Sequence, residues 1–229
     1  MPSDIPLGPE PTSERPPKTF IAIAGNIGSG KSSLTTWLAD RLGYEACFEV
    51  VDDNPYLDDF YHDMKAWSFQ TQVYFLSRRF ENHRRISAGL RSVVQDRSIY
   101  EDYSIFARSL YEQGMMSERD FSNYEDLYKV MARFFEPPDL LIYLKCSVPT
   151  LMRRIRKRGR EYERDIPRDY IEHLNRLYDD FVEQFTDAPK LVLPGDDLDF
   201  VGSYHDFSFI LDMIDAMRID PLRLQTTLF

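Results

Sequence analysis

Short apolar, β-branched runs alternate with longer stretches of helical spacing along this chain. The runs fall at residues 20–24, 47–51, 92–95, 140–144 and 190–193. Four of them are almost continuously apolar, as strands covered on both faces of a parallel sheet are. Between them the spacing predicts helices over 31–42, 103–111, 118–135 with Ser117 as cap, 149–157 and 168–185. A longer, aromatic-rich helix is predicted over 56–87, with a break near residues 65–66, and a closing helix over 207–217. Strand–helix alternation of this kind implies right-handed βαβ crossovers and a three-layer α/β domain. No repeat or linker interrupts the pattern after residue 18. The expected organisation is a disordered, proline-rich arm over 1–18, one domain over 19–218 and a tail over 219–229.

Composition narrows the function classes. The 229 residues are 43% hydrophobic, with 28 Lys and Arg against 38 Asp and Glu, a net charge of −10. A chain of this size buries roughly 70% of its unfolded surface and needs no disulfide scaffold. Its acid excess argues against a general basic coat for nucleic acid, though not against a local cationic site. The two cysteines, Cys47 and Cys146, stand far apart without metal-ligand spacing and read as small buried hydrophobes in a reducing cytosol. No apolar run approaches the ~18 residues of a membrane span. The first 18 residues have neither the apolar core of a signal peptide nor the character of a transit peptide. A cytoplasmic location, with no membrane and no nucleic-acid partner, is expected.

The first apolar run leads directly into Gly25-Asn26-Ile27-Gly28-Ser29-Gly30-Lys31-Ser32-Ser33, which fits GxxxxGK[ST] between a strand and a helix. Glycines let the backbone turn with its N–H groups aimed inward, and the helix start adds its positive dipole end. Lys31 can reach β- and γ-phosphates, and the Ser32 hydroxyl can ligate Mg²⁺. The loop implies a nucleoside triphosphate without naming the reaction; no NKxD-type guanine motif is present. Two acids follow later runs, Glu49 in Phe48-Glu-Val-Val-Asp and Asp96 in Gln95-Asp-Arg-Ser98. At strand ends of a doubly wound sheet such acids face the ligand, and Asp96 suits a Mg²⁺ site with Arg97 offsetting charge. Taken alone, each reads equally well as a helix cap or a solvated residue.

Six of the basic residues crowd into 151–160: Arg153, Arg154, Arg156, Lys157, Arg158 and Arg160. A nucleic-acid patch, a solvated helix face and a lid over a triphosphate are the competing readings. The lid suits phosphoryl transfer, whose charge spreads over oxygens that guanidinium groups neutralise. Arg154 and Arg158, four apart, share one helix face, and Gly159 is a candidate hinge.

Glu49…Asn54-Pro-Tyr-Leu, Trp67-Ser-Phe-Gln-Thr-Gln72, Asp96-Arg-Ser-Ile-Tyr-Glu-Asp102 and Arg154-Ile-Arg-Lys-Arg-Gly-Arg160 together resemble the deoxyribonucleoside kinases. Within them the resemblance is to the bacterial deoxyadenosine and deoxyguanosine enzymes, and it spans residues 20–193. It implies a three-layer P-loop kinase fold with a five-stranded parallel sheet and an arginine-rich lid. It also implies transfer of the γ-phosphate of ATP, with Mg²⁺, to the 5′-hydroxyl of a deoxynucleoside, deoxyadenosine favoured and deoxyguanosine or deoxycytidine possible. Glu49 then matches the general base and Arg97 the arginine beside it, while Asp96 stands near Mg²⁺. Tyr61 and Glu163 match the pair on the sugar 3′-hydroxyl, and Gln72 the amide on the base edge. Arg79 and Asp102 match the polar pair of members accepting purines and deoxycytidine, and Trp67 and Phe106 the aromatic walls. Arg154, Arg158 and Arg160 match the lid arginines, and the family suggests a homodimer through the long helices. By spacing alone, Tyr61, Trp67, Gln72 and Phe106 read as ordinary helix packing. A nucleoside monophosphate kinase and a non-catalytic nucleotide-binding regulator are the alternative functions.

Overall fold

The computed structural model describes residues 18–48, 54–160, 163 and 166–219. Most of the expected N-terminal arm, the C-terminal tail and Glu49 lie outside the described residues.

Five parallel strands form one sheet in the order β2-β3-β1-β4-β5. They are β1 (Phe20–Ala24), β2 (Glu45–Cys47), β3 (Val93–Asp96), β4 (Leu140–Lys145) and β5 (Lys190–Pro194). The central strand β1 is buried along its whole length. Its alternation sends Phe20, Ala22 and Ala24 into one core and Ile21 and Ile23 into the other. β4 divides the same way: Leu141 and Tyr143 join the first core, and Leu140, Ile142 and Leu144 the second. An apolar run with no polar face is therefore what a doubly covered strand requires.

The second core is closed by α1 (Lys31–Leu42) and α9 (Tyr204–Ile219), through Leu34 and Leu38, and Phe207, Ile210 and Ile214. The first is closed by α3 (Met64–Ala88), α6 (Glu118–Ala132) and α8 (Arg168–Gln184), through Leu76, Tyr124, Leu174 and Tyr178. The lid helix α7 (Val148–Arg158) packs Leu151 and Ile155 against Ile166 and Ile171 in a smaller cluster.

Several boundaries differ from the sequence reading: β2 begins at Glu45 rather than at 47, α6 ends at Ala132 rather than at 135, and α9 begins at Tyr204 rather than at 207. The aromatic-rich segment is two helices, α2 (Leu57–His62) and α3, and the break falls at Asp63 rather than at residues 65–66. Asp63 leaves helical geometry and its Oδ1 accepts from Ala66 N–H at 3.0 Å, which makes it an N-cap. The helix expected from residue 103 begins four residues earlier as α4 (Ile99–Glu101), widens into a π-turn (Asp102–Ala107) and continues as α5 (Arg108–Glu112). Ser98 and Glu101 form the capping box that starts it, a pattern readable in Ser98-Ile-Tyr-Glu101. Gly159, the candidate hinge, is the left-handed C-cap of α7, at φ 68°. Ser117 caps α6 as expected, its Oγ accepting from Asp120 N–H at 3.1 Å.

Ile142 has no solvent exposure and lies between α1 and α9. Ile142→Ala should lower unfolding stability by about 2–5 kcal/mol in a urea titration, the range for a core truncation that leaves a cavity.

Candidate active site

The loop between β1 and α1 runs along the carboxyl ends of the strands, where the sheet order reverses around β1. Gly25, Gly28 and Gly30 have φ of 156°, 83° and 103°. Gly28 also needs to be small: a Cβ there would stand 2.9 Å from Ile155 Cγ1 and 3.0 Å from the Leu151 carbonyl of α7. Phosphate loop and lid helix thus touch through a missing side chain.

Within the loop the Lys31 ammonium is buried and donates to the carbonyls of Gly25, at 2.8 Å, and Asn26, at 3.1 Å. Ser29 is buried, whereas Ser33 is exposed on the first turn of α1. Ile27 is half-buried against the lid cluster. The Asn26 side chain turns away from the loop's interior: its Nδ2 donates to Ile171 O at 2.9 Å and to Asn175 Oδ1 at 3.1 Å. Asn175 in turn donates to Cys146 O at 3.1 Å. Sequence reasoning missed this anchor, because an asparagine in the middle of an amphipathic helix carries no signal until the loop is folded against it.

The end of β3 supplies the next group. Asp96 pairs in register with Ile23, one residue from the end of β1. Its Oδ2 accepts from the Ser32 hydroxyl at 2.5 Å, and its Oδ1 is buried without a partner. One carboxylate and one hydroxyl, with an open acceptor, suit Mg²⁺, which keeps waters and phosphate oxygens as its other ligands. Among the described residues no cluster of three His, Cys, Asp or Glu forms a closed metal cage.

Arg97 follows at φ 63°, the one non-glycine residue with positive φ among those described. Such a conformation costs about 1–3 kcal/mol and is retained where the surroundings determine it. Its guanidinium lies 4.2 Å above the Phe106 ring, a cation–π contact. Its carbonyl accepts from Arg79 Nη1 at 3.2 Å, and Arg79 Nε donates to Asp102 Oδ2 at 2.6 Å. The Arg79 and Asp102 side chains are 5% and 2% exposed, so this ion pair is desolvated. The two residues come from α3 and the π-turn, 23 positions apart in sequence.

Arg79 and Asp96 both line a narrow cleft with Phe48, Phe75, Arg78, Asn82 and Gln95. Gln72 is buried about two turns before Arg79 on the same face of α3. Trp67 stacks on Tyr56 with centroids 5.8 Å apart, and Tyr61 meets Phe60 edge-on at 5.3 Å. The aromatics therefore do pack, as their spacing alone suggests.

A profile of the deoxynucleoside kinases matches residues 21–217. The chain belongs to the deoxynucleoside kinase family. It is therefore an enzyme, an ATP-dependent phosphotransferase. It is 41% identical over 207 residues to a deoxyadenosine/deoxycytidine kinase of Bacillus subtilis, covering 90% of this chain and 95% of that one. It is 35% identical over 195 residues to a deoxyguanosine kinase of the same organism, covering 83% and 93%. The structure of a deoxyadenosine kinase from M. mycoides with dCMP and dCDP bound aligns with a TM-score of 0.78 at 31% identity. That alignment covers 86% of this chain and 100% of the other.

The kinase's lid arginines are all engaged. Arg154 donates to Ser29 O at 2.9 Å and to Gly195 O at 2.8 Å, clamping the phosphate loop to the end of β5. Arg158 makes a two-pronged pair with Glu163, at 3.0 Å from Nε and 2.5 Å from Nη2, and Arg160 approaches the same carboxylate at 3.6 Å. The described partners of Glu163 are these two guanidinium groups. The basic run lies on an amphipathic helix and the segment just after it: Leu151 and Ile155 are buried, whereas Arg153, Arg156, Lys157, Arg158 and Arg160 are exposed.

Removing Asp102 strips the Arg79 guanidinium of its shortest buried contact. Asp102→Ala should lower unfolding stability by about 3–5 kcal/mol, read by urea denaturation. A loss under ~1 kcal/mol would mean that the pair is not desolvated in solution.

Proposed function

We propose that the chain transfers the γ-phosphate of ATP to the 5′-hydroxyl of a purine deoxynucleoside, deoxyadenosine before deoxyguanosine or deoxycytidine. The observation that carries this reading is the continuous polar path from Ser32 and Asp96, through the Arg97 turn, to the buried Arg79–Asp102 pair. It joins the phosphate loop to a desolvated polar pair able to read a base, and Asp96 and Arg79 line one cleft.

In this reading the loop N–H groups and Lys31 hold the β- and γ-phosphates of ATP. Ser32 and Asp96 would hold Mg²⁺, which when bound offsets charge between the phosphate oxygens. Glu49 accepts the 5′-hydroxyl proton, and Arg97 draws the transferred group's charge from its fixed left-handed turn. Gln72 bonds the base edge bidentately, beside Arg79 and Asp102, with Trp67 and Phe106 as walls. Tyr61 and Glu163 take the sugar 3′-hydroxyl, where an analogue lacking that group would leave buried donors unpaired. Arg154, Arg158 and Arg160 close over the triphosphate; Glu163 then shares its carboxylate between Arg158 and the sugar. A homodimer rests on the family resemblance, and a cytoplasmic location on the two cysteines without metal-ligand spacing.

The test is product analysis with ATP, Mg²⁺ and each of the four deoxynucleosides, with nucleoside monophosphates as a parallel arm. Deoxyadenosine should give the highest kcat/KM. Absence of any 5′-monophosphate, or faster turnover of monophosphates than of nucleosides, would sink the reading. Glu49→Gln should lower kcat by ~10²-fold or more with nucleoside KM little changed. Near-normal turnover would remove Glu49 from the role of base.

A further inference from the structure

Glu101 has no solvent exposure and no part in the roles above, yet it lies four residues from Arg97, in the turn that follows it. Its Oε2 accepts from Ser98 N–H at 2.7 Å and from Ser98 Oγ at 3.2 Å. The Tyr178 hydroxyl donates to its Oε1 at 2.8 Å, and Tyr178 is also fully buried. The Ser98 side chain accepts from the Glu101 N–H in return, which completes a capping box. A capping glutamate at a helix surface keeps its charge in water; this one is sealed under the phosphate site. Burial raises its pKa above the ordinary carboxylate range, and the positive charges of Arg97 and Lys31 oppose that rise.

Tyr178 connects this network to the rest of the site. It lies seven residues after Ile171 and three after Asn175, on the face of α8 that also holds Asn26. One rigid helix therefore grips both the phosphate loop, through Asn26, and the Arg97 turn, through Glu101. Both oxygens of Glu101 act as acceptors, and one of its donors is a backbone N–H that cannot reverse. An amide in its place would keep that bond but surrender the charge.

We propose that Glu101 is a positioning residue for phosphoryl transfer. Through Ser98 it holds the left-handed Arg97 turn, and through Tyr178 it sets that turn against the phosphate loop on α8. The inference rests on the reading of Arg97 as a group acting on the transferred phosphate.

A double-mutant cycle tests it: kcat, the KM for ATP and for deoxyadenosine, and the melting temperature of wild type, Glu101→Gln, Arg97→Ala and the double variant. Glu101→Gln should lower kcat about 10- to 100-fold with both KM values within about threefold of wild type. In the Arg97→Ala background the same change should lower kcat less than about threefold, because its target is gone. Tyr178→Phe should lower kcat by less, in the same direction, and it replaces Glu101→Gln in the cycle if that variant does not fold. Equal losses in both backgrounds, the signature of a general structural role, overturn the inference, as does a wild-type kcat in Glu101→Gln. An Arg97→Ala enzyme of normal kcat overturns the reading of Arg97 itself.

Discussion

The constraint on which the rest of this structure depends is the need to aim several backbone N–H groups at one point beyond the end of β1. Only a chain with left-handed residues can turn that way, and the loop uses Gly25, Gly28 and Gly30 to do it. Such a loop has few apolar contacts of its own and has to be held from outside. The holders are polar and come from every direction: Asn175 and the Ile171 carbonyl of α8 on Asn26, Arg154 of α7 on Ser29, and Asp96 of β3 on Ser32. Gly28 admits the lid helix to direct contact, so loop and lid share one surface.

The second constraint is electrostatic. Lys31, Arg97, Arg154 and Arg158 follow the ends of β1, β3 and β4 in the chain, and each is engaged by an acceptor or an aromatic ring. Glu163 meets Arg158, the Phe106 ring meets Arg97, and the carbonyls of Gly25, Asn26, Ser29 and Gly195 accept from Lys31 and Arg154. The concentrated cations also reconcile the net charge of −10 with a phosphate-binding function: the acid excess lies elsewhere on the molecule.

β1, β4 and β5 were legible because a strand covered on both faces leaves an apolar signature, and β1 begins and ends where its pattern does; the short β2, with Glu45 exposed, starts two residues before the run expected at 47–51. The phosphate loop was legible because only glycine serves its dihedral angles. Helix starts were less so. Asp63 and Ser98 are caps, but one lies inside a long aromatic stretch and the other in a motif already read as chemistry. The shift of the α4 start follows from that. Gly159 is the left-handed C-cap of α7, a role that looks the same in sequence as a hinge glycine.

By itself, the sequence determined the local requirements: buried strands, a loop able to receive phosphate, and a set of spaced residues resembling those of the deoxynucleoside kinases. Tertiary structure alone decided which of the polar residues answer one another. Arg79 meets Asp102 across 23 positions, Asn26 meets Asn175 across 149, and Tyr178 meets Glu101 across 77. The reason is physical. Hydrophobic periodicity is a property of neighbouring residues, whereas a buried polar partner is chosen by whichever group the packed layers bring within hydrogen-bond distance.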